Sequence, residues 1–143
     1  MSDQIPTRRH PETGALLVRG VRPLVITFRG QEITIEMPGW YAPDDPEGES
    51  GLHDPADMRA SDRAVNLLKA RDAGLLPPDA IRRIRKGLRL TQREAGALIG
   101  GGPNAFQKYE AGDILISKAA DTALRLLAGK PARLSELREA RGA

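Results

Sequence analysis

The spacing of apolar residues changes period part-way along the chain. Glu32-Ile33-Thr34-Ile35-Glu36-Met37 alternates strictly between polar and apolar. A period of two predicts a strand with Ile33, Ile35 and Met37 inward and Glu32, Thr34 and Glu36 outward. Upstream, Leu24-Val25-Ile26-Thr27-Phe28 is β-branched and apolar and reads as a second strand. Arg29-Gly30-Gln31 lies between them, and Gly30 can take the positive φ that a short hairpin loop needs. Two strands alone are marginal in water, so the hairpin needs a third strand, another element or a partner chain. Leu16-Leu17-Val18 is the candidate third strand, and residues 1–14, polar with Pro6 and Pro11, read as irregular.

Beyond residue 56 the period becomes helical. Ala42 to Ala56 holds almost nothing apolar and reads as a linker or mobile loop. Asp57 to Ala73 then sets Met58, Ala64, Val65, Leu67, Leu68 and Ala70 among charges, an amphipathic helix that Asp57 or Ser61 can cap and Gly74 ends. Pro77-Pro78-Asp79 opens a helix to about Arg85, with Ile81 and Ile84 on one face and Gly87 as its stop. Thr91-Gln92-Arg93-Glu94 has the spacing of a capping box and opens another helix, whose buried face is Ala95, Leu98 and Ile99. Gly100-Gly101-Gly102 makes a turn, and a third short helix runs from about Pro103 to Glu110. Ser117 can cap a helix carrying Ala120, Ala123, Leu124 and Leu127, and a last one covers about Leu134 to Ala140. The fold class is therefore α+β. A small N-terminal β module and linker occupy residues 1–55, and an all-α domain of about five helices occupies 56–143.

Composition narrows the chemistry. There is no cysteine among the 143 residues and there are only two histidines. That excludes disulfides, thiolate catalysis, iron–sulfur clusters and cysteine-based zinc sites. No apolar run is long enough for a membrane span and the N-terminus lacks the apolar core of a signal peptide, so the expectation is a cytoplasmic protein with no membrane partner. The net charge of +3 hides an asymmetry. Residues 1–55 carry five arginines against nine acidic side chains, net −4, while residues 56–143 carry 17 basic against ten acidic, net +7. An acidic part joined to a basic part points to two tasks, with nucleic acid a candidate partner of the second.

The stretch from Thr91 to Gly112 has the outline of a helix-turn-helix, whose second helix lies in the major groove of double-stranded DNA. Asn104, Gln107 and Lys108 fall in the first turns of that second helix. Asn and Gln pair with adenine and Lys donates to guanine, so these three are the candidate base readers. Asn104 as a helix cap and Lys108 as a solvated charge are the bland alternatives. Arg82, Arg83, Arg85, Lys86, Arg89 and Arg93 cluster before and inside the pair. Lys86, Arg89 and Arg93, with Thr91 and Gln92 at a helix start, are the candidate phosphate contacts. His53 reads as a solvent-exposed linker residue. No catalytic set is present, and the glycine run lacks the Lys-Ser or Lys-Thr of a phosphate loop, so no enzyme is expected.

Leu90-Thr91-Gln92-Arg93-Glu94-Ala95, followed by Gly100-Gly101-Gly102-Pro103-Asn104-Ala105-Phe106-Gln107-Lys108-Tyr109-Glu110-Ala111-Gly112, strongly resembles the DNA-binding domain of MqsA-type antitoxins. Ile26-Thr27-Phe28-Arg29-Gly30 and Gly39-Trp40-Tyr41 resemble the N-terminal half of that family, and the resemblance covers about residues 8 to 128. It implies a helix-turn-helix domain that forms a homodimer and binds a palindrome in its own promoter. It also implies an N-terminal part that neutralises a ribonuclease toxin. By the same resemblance Asn104 and Lys108 match base-reading positions; the family commonly has Arg at the second, and Lys is a point charge rather than a planar fork.

The family usually holds a structural zinc on two Cys-x-x-Cys pairs. The matching positions here are His10, Thr13, Ala42 and Asp45, a set too poor for a four-ligand site. No zinc or other cofactor is expected. Structural zinc is worth on the order of 10 kcal/mol in small modules, so residues 1–14 and 42–56 are expected to be loosely held unless packing or the toxin replaces it. The competing readings are a stand-alone helix-turn-helix transcriptional regulator without a toxin, and a protein-binding inhibitor that no longer reads DNA. The metal expectation is tested directly: elemental analysis of the purified chain should find no zinc, and a chelator should leave thermal melting unchanged.

Overall fold

In the computed structural model, which describes residues 5–142, a three-stranded antiparallel sheet precedes six α-helices. The α+β expectation is met. The chain packs as two compact units, one up to Val65 and one from Asn66 onward.

The sheet has the order β1-β2-β3, with β1 at Thr7–Arg9, β2 at Leu16–Phe28 and β3 at Gln31–Tyr41. The hairpin between β2 and β3 is as expected, but its strands are longer. Leu16-Leu17-Val18 is not a separate strand; it is the start of β2 and continues into the Leu24–Phe28 run. The third strand is β1, in the segment read as irregular, and it pairs Thr7 with Val18 and Arg9 with Leu16. Three residues of polar sequence carry too little pattern to reveal a strand; pairing with β2 creates it. Arg29 and Gly30 both take positive φ, 46° and 78°, which matches the right-handed twist of a two-residue hairpin turn. Along β3, Glu32, Thr34 and Glu36 are exposed, while Ile33 and Ile35 are half-buried and Met37 is buried.

The stretch 42–56 is not a loose linker. Leu52 exchanges backbone hydrogen bonds with Trp40, at 2.8 and 3.0 Å, and so folds back onto β3. Gly39 permits this approach, because a Cβ there would stand 2.8 Å from the Leu52 carbonyl oxygen and 2.7 Å from the His53 ring. His53 is solvent-exposed, as expected, although its Nδ1 lies 2.9 Å from the Pro38 carbonyl. Asp57 is buried and accepts two hydrogen bonds from the Arg19 guanidinium, at 2.9 and 2.8 Å, and one from the Asp54 N–H. Arg19 also lies over the Trp40 ring at 5.3 Å, and the Trp40 indole N–H donates to Asp54. Hydrogen bonding, not apolar area, holds this segment down, and hydropathy does not register it.

Helix α1 spans Met58–Ala73, α2 Pro78–Gly87, α3 Gln92–Ile99, α4 Ala105–Ala111, α5 Lys118–Gly129 and α6 Leu134–Ala140. Gly74, at φ 69°, closes α1 as expected. Gly87 does not close α2. It stays helical, and the left-handed residue is Arg89, at φ 57°. The core of the helical unit joins Ile81, Leu88, Leu90, Ala95, Leu98, Phe106, Tyr109, Ile116, Leu124 and Leu127. Ser117 caps α5 by accepting from the Ala120 N–H at 3.1 Å. Buried Asp121 accepts from the Leu76 N–H and from Arg125, joining α5 to the turn before α2.

The hydrogen bonds from Arg19 hold the Asp57 carboxyl down at about 2, below its ordinary value near 4. A folded value below the unfolded one contributes stability at neutral pH and loses it as the pH falls from about 4 to about 2. Asp57→Asn should therefore lower stability at pH 7, by about 1–3 kcal/mol, and flatten the acid limb of a urea-unfolding series over that window. An unchanged acid limb would show that the pair carries no such linkage.

Candidate nucleic-acid interface

The helix pair α3–α4 is shaped first by its caps. The Thr91 hydroxyl accepts from the Glu94 N–H at 3.1 Å, and the Glu94 carboxylate accepts from the Thr91 N–H at 3.0 Å. The hydrogen bonds that the carboxylate accepts from Thr91, the backbone N–H first, hold the Glu94 carboxyl below the usual carboxylate range. The box predicted from sequence is present, and it fixes the start of α3. At the other end Gly100, Gly101 and Gly102 all take positive φ, at 131°, 94° and 87°. Three successive residues in that region demand glycine. Gly96 is equally constrained: a Cβ there would collide with the Gly102 carbonyl oxygen. The turn therefore lies directly on α3, and α4 starts at a fixed distance from it.

Inside the pair, α4 buries Ala105, Phe106, Tyr109 and Glu110. Phe106 and Tyr109 meet edge to face, with centroids 5.4 Å apart. Glu110 is the buried anchor. Its carboxylate accepts from Arg85 Nε at 2.6 Å and Nη2 at 2.8 Å, from the Gln92 amide at 3.2 Å and from Arg82 at 3.4 Å. Arg85 uses its remaining Nη1 on the Leu90 carbonyl, at 2.9 Å. Burial alone would raise the Glu110 carboxyl; the hydrogen bonds from Arg85, Gln92 and Arg82 overcome it and hold the group below its ordinary value. One carboxylate thus joins α2, the turn after it, the start of α3 and the end of α4.

The opposite face of α4 is open. Asn104, Gln107 and Lys108 are exposed, and their spacing puts them on one side of the helix. Asn104 precedes α4 but its side chain makes no capping hydrogen bond. Lys86, Arg89 and Arg93 are exposed as well, as are Arg82 and Arg83. Gln92 keeps one amide N–H beyond the bond to Glu110. Arg85, counted in the basic cluster, is the exception: it is buried and committed to Glu110. Sequence reasoning missed the role of Glu110, which reads as one more polar residue on a short helix. Its position four residues after Phe106 and one after Tyr109, on the apolar side, was the available signal.

Fold and site define a bipartite protein, a small antiparallel sheet followed by a helical unit whose short α3–α4 pair turns one polar face outward. The model of the MqsA antitoxin family, described as the antitoxin component of a bacterial toxin–antitoxin system, matches residues 10–138. Antitoxin MqsA of Escherichia coli strain K12 is 32% identical over 124 residues, covering 85% of this chain and 92% of that protein. The chain belongs to the MqsA antitoxin family, and its role is that of an antitoxin with a toxin as partner. Among the described residues, no helix is long and apolar enough to cross a membrane.

Removing Glu110 leaves the Arg85 guanidinium buried and unpaired. Glu110→Ala should cost about 3–5 kcal/mol in urea unfolding, the range for breaking one side of a buried pair. Lys108→Ala, on the open face of the same helix, should stay within about 0.5 kcal/mol of the parent. Equal losses in the two variants would refute the anchoring role.

Proposed function

We propose that the helical unit binds double-stranded promoter DNA, with α3–α4 as a helix-turn-helix and α4 in the major groove. The observation that carries this reading is the face of Asn104, Gln107 and Lys108. It is polar, exposed and backed by the rigid Glu110 anchor. Asn104 and Gln107 offer both donor and acceptor to adenine, and Lys108 donates to guanine. Thr91, Gln92, Arg93, Lys86 and Arg89 meet phosphates, supplying affinity without sequence information. Two copies of the helical unit read a palindrome. Support for a homodimer comes from an open groove of about 360 Å³ between α5 and α6, lined by Ala123, Leu126, Leu127, Arg133, Glu136 and Leu137. Leu126 is 69% exposed there.

The β module neutralises the cognate toxin, a ribonuclease. Its outward hairpin face sets exposed Val21 and Val25 beside exposed Glu32 and Glu36. Apolar contact with an acidic rim suits the basic surface by which a ribonuclease holds RNA. Binding at both ends makes the chain an antitoxin that represses its own operon, with no catalytic step of its own and no cofactor, acting in the cytoplasm.

Fluorescence anisotropy on a duplex from the protein's own promoter tests the DNA reading. Asn104→Ala should lose about 1–3 kcal/mol of binding and relax specificity at one base pair. Lys86→Ala should instead weaken all sequences alike and reduce the salt slope by about 1. Wild-type affinity and specificity in Asn104→Ala would sink the recognition-helix assignment. Failure of the chain to co-purify with the ribonuclease encoded beside it would sink the neutralisation reading.

A further inference from the structure

The four positions that match the zinc ligands of MqsA-type antitoxins do not fit a zinc ion. Ala42 offers only a methyl group. The Thr13 hydroxyl accepts from the Ala15 N–H at 3.2 Å. His10 Nδ1 accepts from the N–H groups of Glu12 and Thr13, at 3.1 and 3.3 Å. Both carboxylate oxygens of Asp45 are used, one by the Glu49 N–H and one by the Ser50 N–H, each at 3.0 Å. A structural zinc needs four converging donors. Among the described residues, no three His, Cys, Asp or Glu side chains come together as a metal set.

The bonds just named do something else. The His10 ring holds the turn 10–15 from inside, and the His10 carbonyl accepts from the Gly14 N–H at 2.9 Å. The Asp45 carboxylate holds the turn 45–50 in the same way. A cation completes the second turn. Arg22 on β2 donates from Nε to the Asp45 carbonyl at 2.7 Å and from Nη2 to the Ala42 carbonyl at 3.1 Å. Its Nη1 is tied to the Val21 carbonyl at 2.8 Å, and its guanidinium lies 4.8 Å from the Tyr41 ring centroid. The planar fork suits this task, because it reaches two carbonyls and stacks on an aromatic face at once. Its positive charge meets the backbone at positions 42 and 45, two of the four where relatives place metal ligands.

We propose that this antitoxin replaces one shared metal by two separate side-chain clamps, His10 on the turn 10–15 and Arg22 with Asp45 on the turn 42–50. The difference is one of coupling. An ion bound by both turns crosslinks them, so loss of any ligand loosens both. Two clamps with no common atom fail one at a time. Neither clamp contains a metal or a thiolate, so neither a chelator nor thiol oxidation can open it. The inference is independent of the DNA and toxin readings, since its readout needs neither partner.

Amide hydrogen exchange by NMR on the full chain tests it. Arg22→Ala should speed exchange at Asp45, Gly48, Glu49 and Ser50 by about tenfold or more while Glu12, Thr13 and Gly14 keep wild-type rates. His10→Ala should give the reverse pattern. Arg22→Lys keeps the charge and the stem but cannot span both carbonyls. It should loosen the second turn alone, and it reads the proposal even if Arg22→Ala does not fold. Adding zinc chloride to the wild-type chain should change no rate in either turn. Joint loosening of both turns in either variant, unchanged exchange at the second turn in the Arg22 variants, or slowing of both turns by zinc would each overturn the proposal.

Discussion

The buried carboxylate of Glu110 sets the geometry of the helical unit. Apolar packing alone would let α2, α3 and α4 slide by a fraction of a turn, because aliphatic contacts are not directional. A buried charge cannot slide. Glu110 must stay on the Arg85 fork, and Arg85 must stay on the Leu90 carbonyl, or a charge is left without a partner in low dielectric. The rotation of α4 about its own axis follows from that constraint. With Glu110, Tyr109 and Phe106 held inward, Asn104, Gln107 and Lys108 have only the outer face left.

The glycines complete what the ion pair begins. Gly96 lets the Gly102 carbonyl lie against α3, and the three positive φ angles of the turn bring α4 back at close range. Side chains carry the direction of α4 and the backbone carries its distance. Arg141 adds a tie from beyond the end of α6, donating to the Leu98 carbonyl in α3 at 3.2 Å. A cation at that position also suits the negative end of the α3 dipole.

Arginine plays a comparable part in the β module. Arg19 joins β2 to Asp57, and Arg22 joins β2 to the carbonyls of Ala42 and Asp45. A module with two tryptophan- and tyrosine-backed guanidinium contacts and few buried apolar side chains depends on directed bonds, which is the condition of small units whose cores are limited. Both units thus rest on the same device, a guanidinium committed to more than one partner.

The sequence by itself determined the elements that rest on local chemistry. The Glu32–Met37 alternation, the Gly30 turn, the Thr91–Glu94 box, the Ser117 cap and the glycine run between α3 and α4 are short-range patterns, and each stands in the structure where its residues put it. The polar side of α4 was legible for the same reason. Tertiary structure decided what depends on residues far apart in the chain. β1 exists only because Thr7 to Arg9 meet the start of β2. Residues 42–57 are held down because Arg19, Arg22 and Trp40 reach them from strand positions 12 to 38 residues away. Arg85 left the basic surface only because Glu110, 25 residues on, needed a partner. Hydrophobic period reports which face of an element is buried; it carries no information about which charge will find which, and in this protein the charges hold the pieces together.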